Sequence, residues 1–209
     1  MTRAIDYYFT LVSPWAYIGH RAFRDLAARY DLAVNYKPVV LGTVFPESGG
    51  MPLAKRHPLR VRYRDIELQR WREKRGLSFH LKPEFWPFEP TFVDCVVVAI
   101  AARGDKVEAF LTPAFAAIFE NQLDLKDPDV VAKLLADGGL DAAPIMKAAV
   151  DPATKAIYEA DTQGALAAGV FGSPAYVLDG EVFWGQDRLD LLEDALKSGR
   201  KPFKPAISA

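Results

Sequence analysis

Cysteine is almost missing. Cys95 is the single one in 209 residues, so no intrachain disulfide can form and a reducing compartment is expected. It stands in the apolar run Phe92-Val93-Asp94-Cys95-Val96-Val97-Val98, where a small thiol serves packing. Histidine is scarce too. His20, His57 and His80 have no ligand spacing with Cys95 or the acids, so no metal centre is expected. There is no P-loop, no Gly-x-Gly-x-x-Gly and no Gly-x-Ser-x-Gly, which removes the sequence signatures of nucleotide binding and of a hydrolase nucleophile. The net charge is only −1, so neither nucleic acid nor an anionic membrane is expected as partner. No stretch reaches about 18 uninterrupted apolar residues, the length of a membrane helix. Asp6 interrupts any apolar signal core, and Ala206-Ile207-Ser208-Ala209 matches no retention or peroxisomal address. A cytoplasmic location is the expectation.

What is present is a globular composition, with 50% hydrophobic and 25% charged residues. The chain is long enough for one large domain or a core with an insertion. Residues 4–12 read as a strand and 14–30 as a helix. Residues 32–41 read as a second strand, at an edge or an end near Pro38, which lies inside it. Residues 42–60 hold Pro46, Gly49-Gly50, Pro52 and Pro58 and read as a long irregular loop, functional by its length. Residues 61–75 form a heavily charged helix whose charges read as a solvated face. The stretch 77–90 is aromatic and proline-rich, either a core plug or a pocket wall. Helices follow over 91–103, 106–122, 130–136, 141–150 and 152–168. Residues 175–178 and 181–184 make a hairpin on the turn Asp179-Gly180, and 187–197 is the last helix.

The order is βαβ, a long helical middle, then ββα. That is an α/β, thioredoxin-like fold with an inserted all-helical domain. Residues 1–42 and 170–205, with part of the helix at 151–169, form the thioredoxin-like domain. Residues 60–168 form the insertion.

The first strand-to-helix turn is Ser13-Pro14-Trp15-Ala16. Ser13 is a good N-cap and Pro14 a good first helical residue. Free backbone N–H groups and the positive helix end point at the serine hydroxyl. Thioredoxin-fold disulfide exchangers carry Cys-x-x-Cys at this turn. Here neither position is a thiol, so the chain cannot shuttle a disulfide of its own. It can still hold an external thiol as thiolate. A second element, Ser173-Pro174, precedes the hairpin. In this fold that proline is cis and offers the backbone of the preceding residue as a pairing edge.

These residues give the chain a family likeness. Over nearly its whole length it resembles the 2-hydroxychromene-2-carboxylate isomerases, close relatives of the kappa-class glutathione transferases. The likeness is sharpest in Tyr8-Phe9 through Ser13-Pro14-Trp15-Ala16-Tyr17, in Leu68-Gln69-Arg70-Trp71, and in Val170-Phe171-Gly172-Ser173-Pro174 through Trp184-Gly185-Gln186-Asp187-Arg188-Leu189. The resemblance implies glutathione as cofactor. Ser13 would bond its sulfur, Ser173 with Pro174 would pair its cysteinyl backbone, and Trp184, Gly185, Gln186 and Asp187 would surround its γ-glutamyl end. It also implies a small aromatic substrate, a role in aromatic-compound and naphthalene breakdown, and a homodimer. The family's substrate contacts fall on Phe45, Ala54, Lys55 and Phe85, of which only Lys55 keeps the residue type. Lys55 and Arg56 are the local candidates for a carboxylate of the substrate or of glutathione. The implied reaction interconverts 2-hydroxychromene-2-carboxylate and trans-o-hydroxybenzylidenepyruvate. Two other readings stay open: a kappa-like transferase that keeps the thioether, and a non-catalytic thioredoxin-fold binding protein.

Overall fold

The computed structural model describes residues 3–206; residues 207–209, most of the C-terminal tetrad, lie outside them. A four-stranded sheet has the order β2-β1-β3-β4. Strand β1 (Ala4–Phe9) pairs in parallel with β2 (Ala33–Pro38), Tyr7 opposite Tyr36. It pairs antiparallel with β3 (Ala175–Leu178), Tyr7 opposite Tyr176, and β3 pairs antiparallel with β4 (Glu181–Trp184). Helix α1 (Pro14–Arg29) links β1 to β2. Pro38 ends an edge strand, where its missing N–H costs no ladder bond. Asp179 and Gly180 have φ of 52° and 84°, the left-handed pair that a tight two-residue hairpin turn demands.

Side chains alternate along β1 as strand geometry requires. Ile5, Tyr7 and Phe9 enter the main core with Phe23 of α1 and Phe115 of the insertion. Tyr8 enters a smaller core on the other face with Val39, Val44, Ala165 and Val177. The insertion is built on α4 (Thr91–Ala102), buried continuously from Val93 to Ile100. Around it lie α5 (Glu108–Phe119), α6 (Pro128–Asp137), α7 (Ala142–Ala149) and α8 (Pro152–Ala167). Among the described residues, no helix is long and apolar enough to cross a membrane.

Several boundaries differ from the sequence expectation. Strand β1 stops at Phe9, because Thr10 and Leu11 turn away to bond Asp94. Strand β2 stops at Pro38, and the Val40 N–H goes to Thr162 Oγ1 at 3.0 Å. The stretch 42–60 is not irregular throughout. It contains α2 (Leu41–Ser48) and a 3₁₀ turn (Leu53–Lys55). Local propensity disfavours a helix holding Gly42 and Pro46, but burial of Val44 in the smaller core overrides it. Helix α3 (Pro58–Lys74) starts at Pro58, three residues earlier than expected, with His57 Nδ1 accepting the Leu59 N–H. The helix expected over 106–122 is shorter, from 108 to 119. The last helix is a 3₁₀ turn (Gln186–Arg188) leading into α9 (Leu189–Ser198), so Asp187 sits in the turn and not in the first α-helical one.

Candidate active site

Ser13 is the N-cap of α1. Its Oγ accepts the Ala16 N–H at 3.3 Å and its hydroxyl donates to the Ser173 carbonyl, also at 3.3 Å. The residue is only 6% exposed. The Ser173-Pro174 peptide is cis. Thr10 ties the two serines together: its N–H donates to Ser173 Oγ at 3.3 Å, and its carbonyl accepts the Ser13 N–H at 3.1 Å. The two half-motifs 160 residues apart therefore meet at one point. A hydroxyl, a helix N-terminus and the backbone of the bend before β3 converge there.

The second wall comes from the hairpin and the turn after it. The Gly185 N–H donates to the Pro174 carbonyl at 2.9 Å. Gly185 has φ +103°, and a β-carbon on it would stand 2.4 Å from Asp187 Oδ1. Only glycine lets the Asp187 carboxylate fold back over the backbone here. Gln186 is buried (2% exposed), and its side-chain and backbone oxygens accept from Arg75 at 3.1 and 3.2 Å. Trp184 packs against Phe171 with the rings tilted at 54° and their centroids 4.6 Å apart, and it stands half exposed.

A cleft of 520 Å³ opens beside Ser173. Ser173, Trp184, Gly185, Gln186, Asp187 and Arg188 line it from the sheet side. Trp15 comes from α1, while α3 and the residues before it supply Arg56, Arg60, Tyr63, Arg64, Glu67 and Trp71. Ser13 and Pro174 are not themselves in the lining and reach it through Ser173. Of the positions implied as substrate contacts, Phe45, Ala54, Lys55 and Phe85 all lie outside this lining, while Arg56 is in it. The aromatic stretch does approach the site through Trp86. Its Nε1–H donates to the Val12 carbonyl at 2.8 Å, next to Ser13.

The charges of α3 are therefore not all a solvated face. Asp187 is paired with Arg188 at 2.7 Å and Glu67 with Arg70 at 2.5 Å, which leaves Arg56, Arg60 and Arg64 in excess on the cleft. The Arg64 side chain is only 11% exposed and lies over the Trp86 ring at 5.6 Å, with a loose contact of 3.6 Å to Asp65. Burial lowers its pKa, opposed by Asp65 and assisted by Arg56. Burial and Arg60 lower that of Arg56. Three guanidinium groups on one wall of a cleft mark a place where an anion is favourable. Only Arg60 and Arg64 lie one turn apart on α3; Arg56 precedes the helix and joins them through the fold. Among the described residues no cluster of His, Cys, Asp and Glu could hold a metal ion. Cys95 is buried and its thiol is pushed up to about 11, chiefly by burial, so it is no nucleophile.

Residues 4–197 match the model of the DsbA-like thioredoxin domain family. The chain is 31% identical to a 2-hydroxychromene-2-carboxylate isomerase of Sphingobium xenophagum, over 94% of this chain and 99% of that one. It is 25% identical to glutathione S-transferase kappa 1 of Caenorhabditis elegans, over 92% and 90%. Its backbone superposes on a solved 2-hydroxychromene-2-carboxylate isomerase with a TM-score of 0.78 at 23% identity, covering 93% of this chain and 95% of that one. The chain belongs to the DsbA-like thioredoxin domain family, in the group of the 2-hydroxychromene-2-carboxylate isomerases.

Proposed function

We propose that the protein is a glutathione-dependent isomerase of an aromatic enone acid, 2-hydroxychromene-2-carboxylate or a close analogue. The observation that carries this is the meeting of Ser13 with the backbone of Ser173 in a site with no thiol of its own. The donor set fits a zwitterionic tripeptide. Ser13 can donate to a sulfur, Ser173 can pair a peptide backbone, and Asp187 can take an ammonium group. Arg56 or Arg188 can take a carboxylate. Bound glutathione would supply a thiolate that adds reversibly to the conjugated double bond, which lets that bond rotate before the thiolate leaves.

The chain's own residues have three tasks in this scheme. Ser13 turns its hydroxyl from the Ser173 carbonyl to the sulfur; the 3.3 Å bond it gives up is a long one. Trp15, Tyr63, Trp71 and Trp184 offer flat apolar surface to an aromatic body. Arg60 and Arg64 balance its carboxylate. The departures at Phe45, Ala54 and Phe85 support a second outcome, a transferase that keeps the thioether.

Calorimetric titration with glutathione, followed by absorbance of the chromene carboxylate, tests the reading. Isomerisation with glutathione recovered is the expected result; glutathione consumed stoichiometrically would make the enzyme a transferase. Asp187→Ala should weaken glutathione by about tenfold or more, as loss of a charged hydrogen bond does. No binding at millimolar glutathione would leave a non-catalytic binding protein.

A further inference from the structure

Asp94 takes no part in the scheme above, yet it is the most unusual group near the site. It is fully buried (0% exposed) on α4. Its Oδ2 accepts from Thr10 Oγ1 at 2.7 Å and from the Tyr158 hydroxyl at 2.9 Å, and its Oδ1 accepts the Leu11 N–H at 2.9 Å. No cation forms a salt bridge with it among the described residues. A buried carboxylate without a counter-charge is costly, and an apolar residue would pack α4 against α8 at less expense. Its use lies in the donors it holds. Two of the three belong to the short segment between β1 and Ser13. One of these, Thr10, bonds both serines of the thiol site, Ser173 through its N–H and Ser13 through its carbonyl.

We propose that Asp94 is the positioning residue of the thiol site: by clamping Thr10 and Leu11 it sets the spacing between Ser13 and Ser173. The inference rests on the glutathione reading for its consequence, not for its geometry. It gives the helical insertion a direct hand in the chemistry, because α4 reaches across 84 residues of sequence to the first β-to-α turn. The other titratable groups beside the carboxylate are Tyr158 on α8, Cys95 on α4 and Glu89 just before α4.

Two variants separate positioning from packing. Thr10→Val removes the hydroxyl at constant shape, and Asp94→Asn keeps an acceptor for the Leu11 N–H. The thiolate absorbance of bound glutathione is followed against pH, with S-methylglutathione binding as the control for the rest of the site. Thr10→Val should raise the half-point of the bound thiol by about one pH unit, a tenfold loss of thiolate near neutrality. Asp94→Asn should give a smaller rise. S-methylglutathione affinity should change less than threefold in both. An unchanged half-point would overturn the proposal, as would equal loss of both ligands, which would make Asp94 a packing residue. If neither ligand binds the unmodified protein, the glutathione reading falls while the clamp remains decidable by amide hydrogen exchange. Asp94→Ala, which removes every acceptor, should then speed exchange at Leu11 and Ser13 at least tenfold and leave α5 unchanged; unaltered rates at Leu11 and Ser13 would overturn it.

Discussion

A β-carbon on Gly19 would stand 2.5 Å from Cβ of Gln186 and 3.1 Å from the Tyr176 hydroxyl. Helix α1 and the turn after β4 are thus packed at the closest distance that a bare backbone permits. Gly19→Ala should destabilise the protein by about 1–3 kcal/mol, the cost of overpacking a filled core. It should also weaken glutathione, because Gln186 carries the turn that holds Asp187. Urea unfolding and calorimetry read the two effects. Unchanged stability would mean that the turn yields freely.

Ser13→Ala removes a donor but leaves the helix N-terminus in place. A hydrogen bond to a charged acceptor contributes about 1.5–3 kcal/mol, so the bound thiol should titrate about 1–2 units higher. Isomerisation near neutral pH should slow accordingly. A thiolate band unmoved by the substitution would exclude Ser13 as the sulfur's partner.

Arg60→Ala and Arg64→Gln should act on the electrophile more than on glutathione. Loss of one charged contact to a carboxylate corresponds to about a tenfold rise in KM or more, with kcat less affected. Glutathione affinity should stay within about twofold, and the variants should respond less to added salt. An equal effect on a carboxylate substrate and its methyl ester would show that these arginines do not read the charge.

The buried carboxyl of Asp94 makes stability depend on pH. Burial pushes its pKa up from 3.8 to about 7, against the pull of its three hydrogen bonds. Between those values the folded chain keeps a proton that the unfolded chain has lost. Stability therefore falls as pH rises from about 4 to 7 and levels off above. Asp94→Asn has no such proton, so its stability relative to the unmodified protein should improve across that window. Asp161, also pushed up, to about 6, chiefly by burial, contributes to both proteins alike and cancels. Urea unfolding at pH 4.5, 6 and 7.5 measures the difference; a constant gap would refute the shift.

Much of the frame could be read from local chemistry. Ser13-Pro14 announced a capped helix, Asp179-Gly180 a hairpin and Pro38 an edge strand, because each is a property of neighbouring residues. Ser173-Pro174 was marked by its place in the fold pattern and not by its neighbours alone. Helix α2 escaped notice because Gly42 and Pro46 oppose it locally, and only the distant smaller core rewards Val44. Arg64 looked like part of a wet helix face and Arg60 like the end of a loop, since a helical wheel cannot show that one stripe of α3 faces a cleft. The Asp94 contacts join residues far apart in the chain, and no local pattern in Phe92-Val93-Asp94-Cys95 points to Thr10.

Helix α3 forms the outer wall of the cleft, yet of its 17 residues only Leu68 is buried. A segment with so little apolar anchoring parts from its neighbours at a fraction of the free energy needed to unfold the sheet. The opposite wall, around Ser13, Ser173 and Gly185, is by contrast built on backbone and closely packed glycines. One side of the room is masonry and the other a hung partition. On the proposed reading, the width of the cleft can then change by substitutions along one helix face without disturbing the strands beneath.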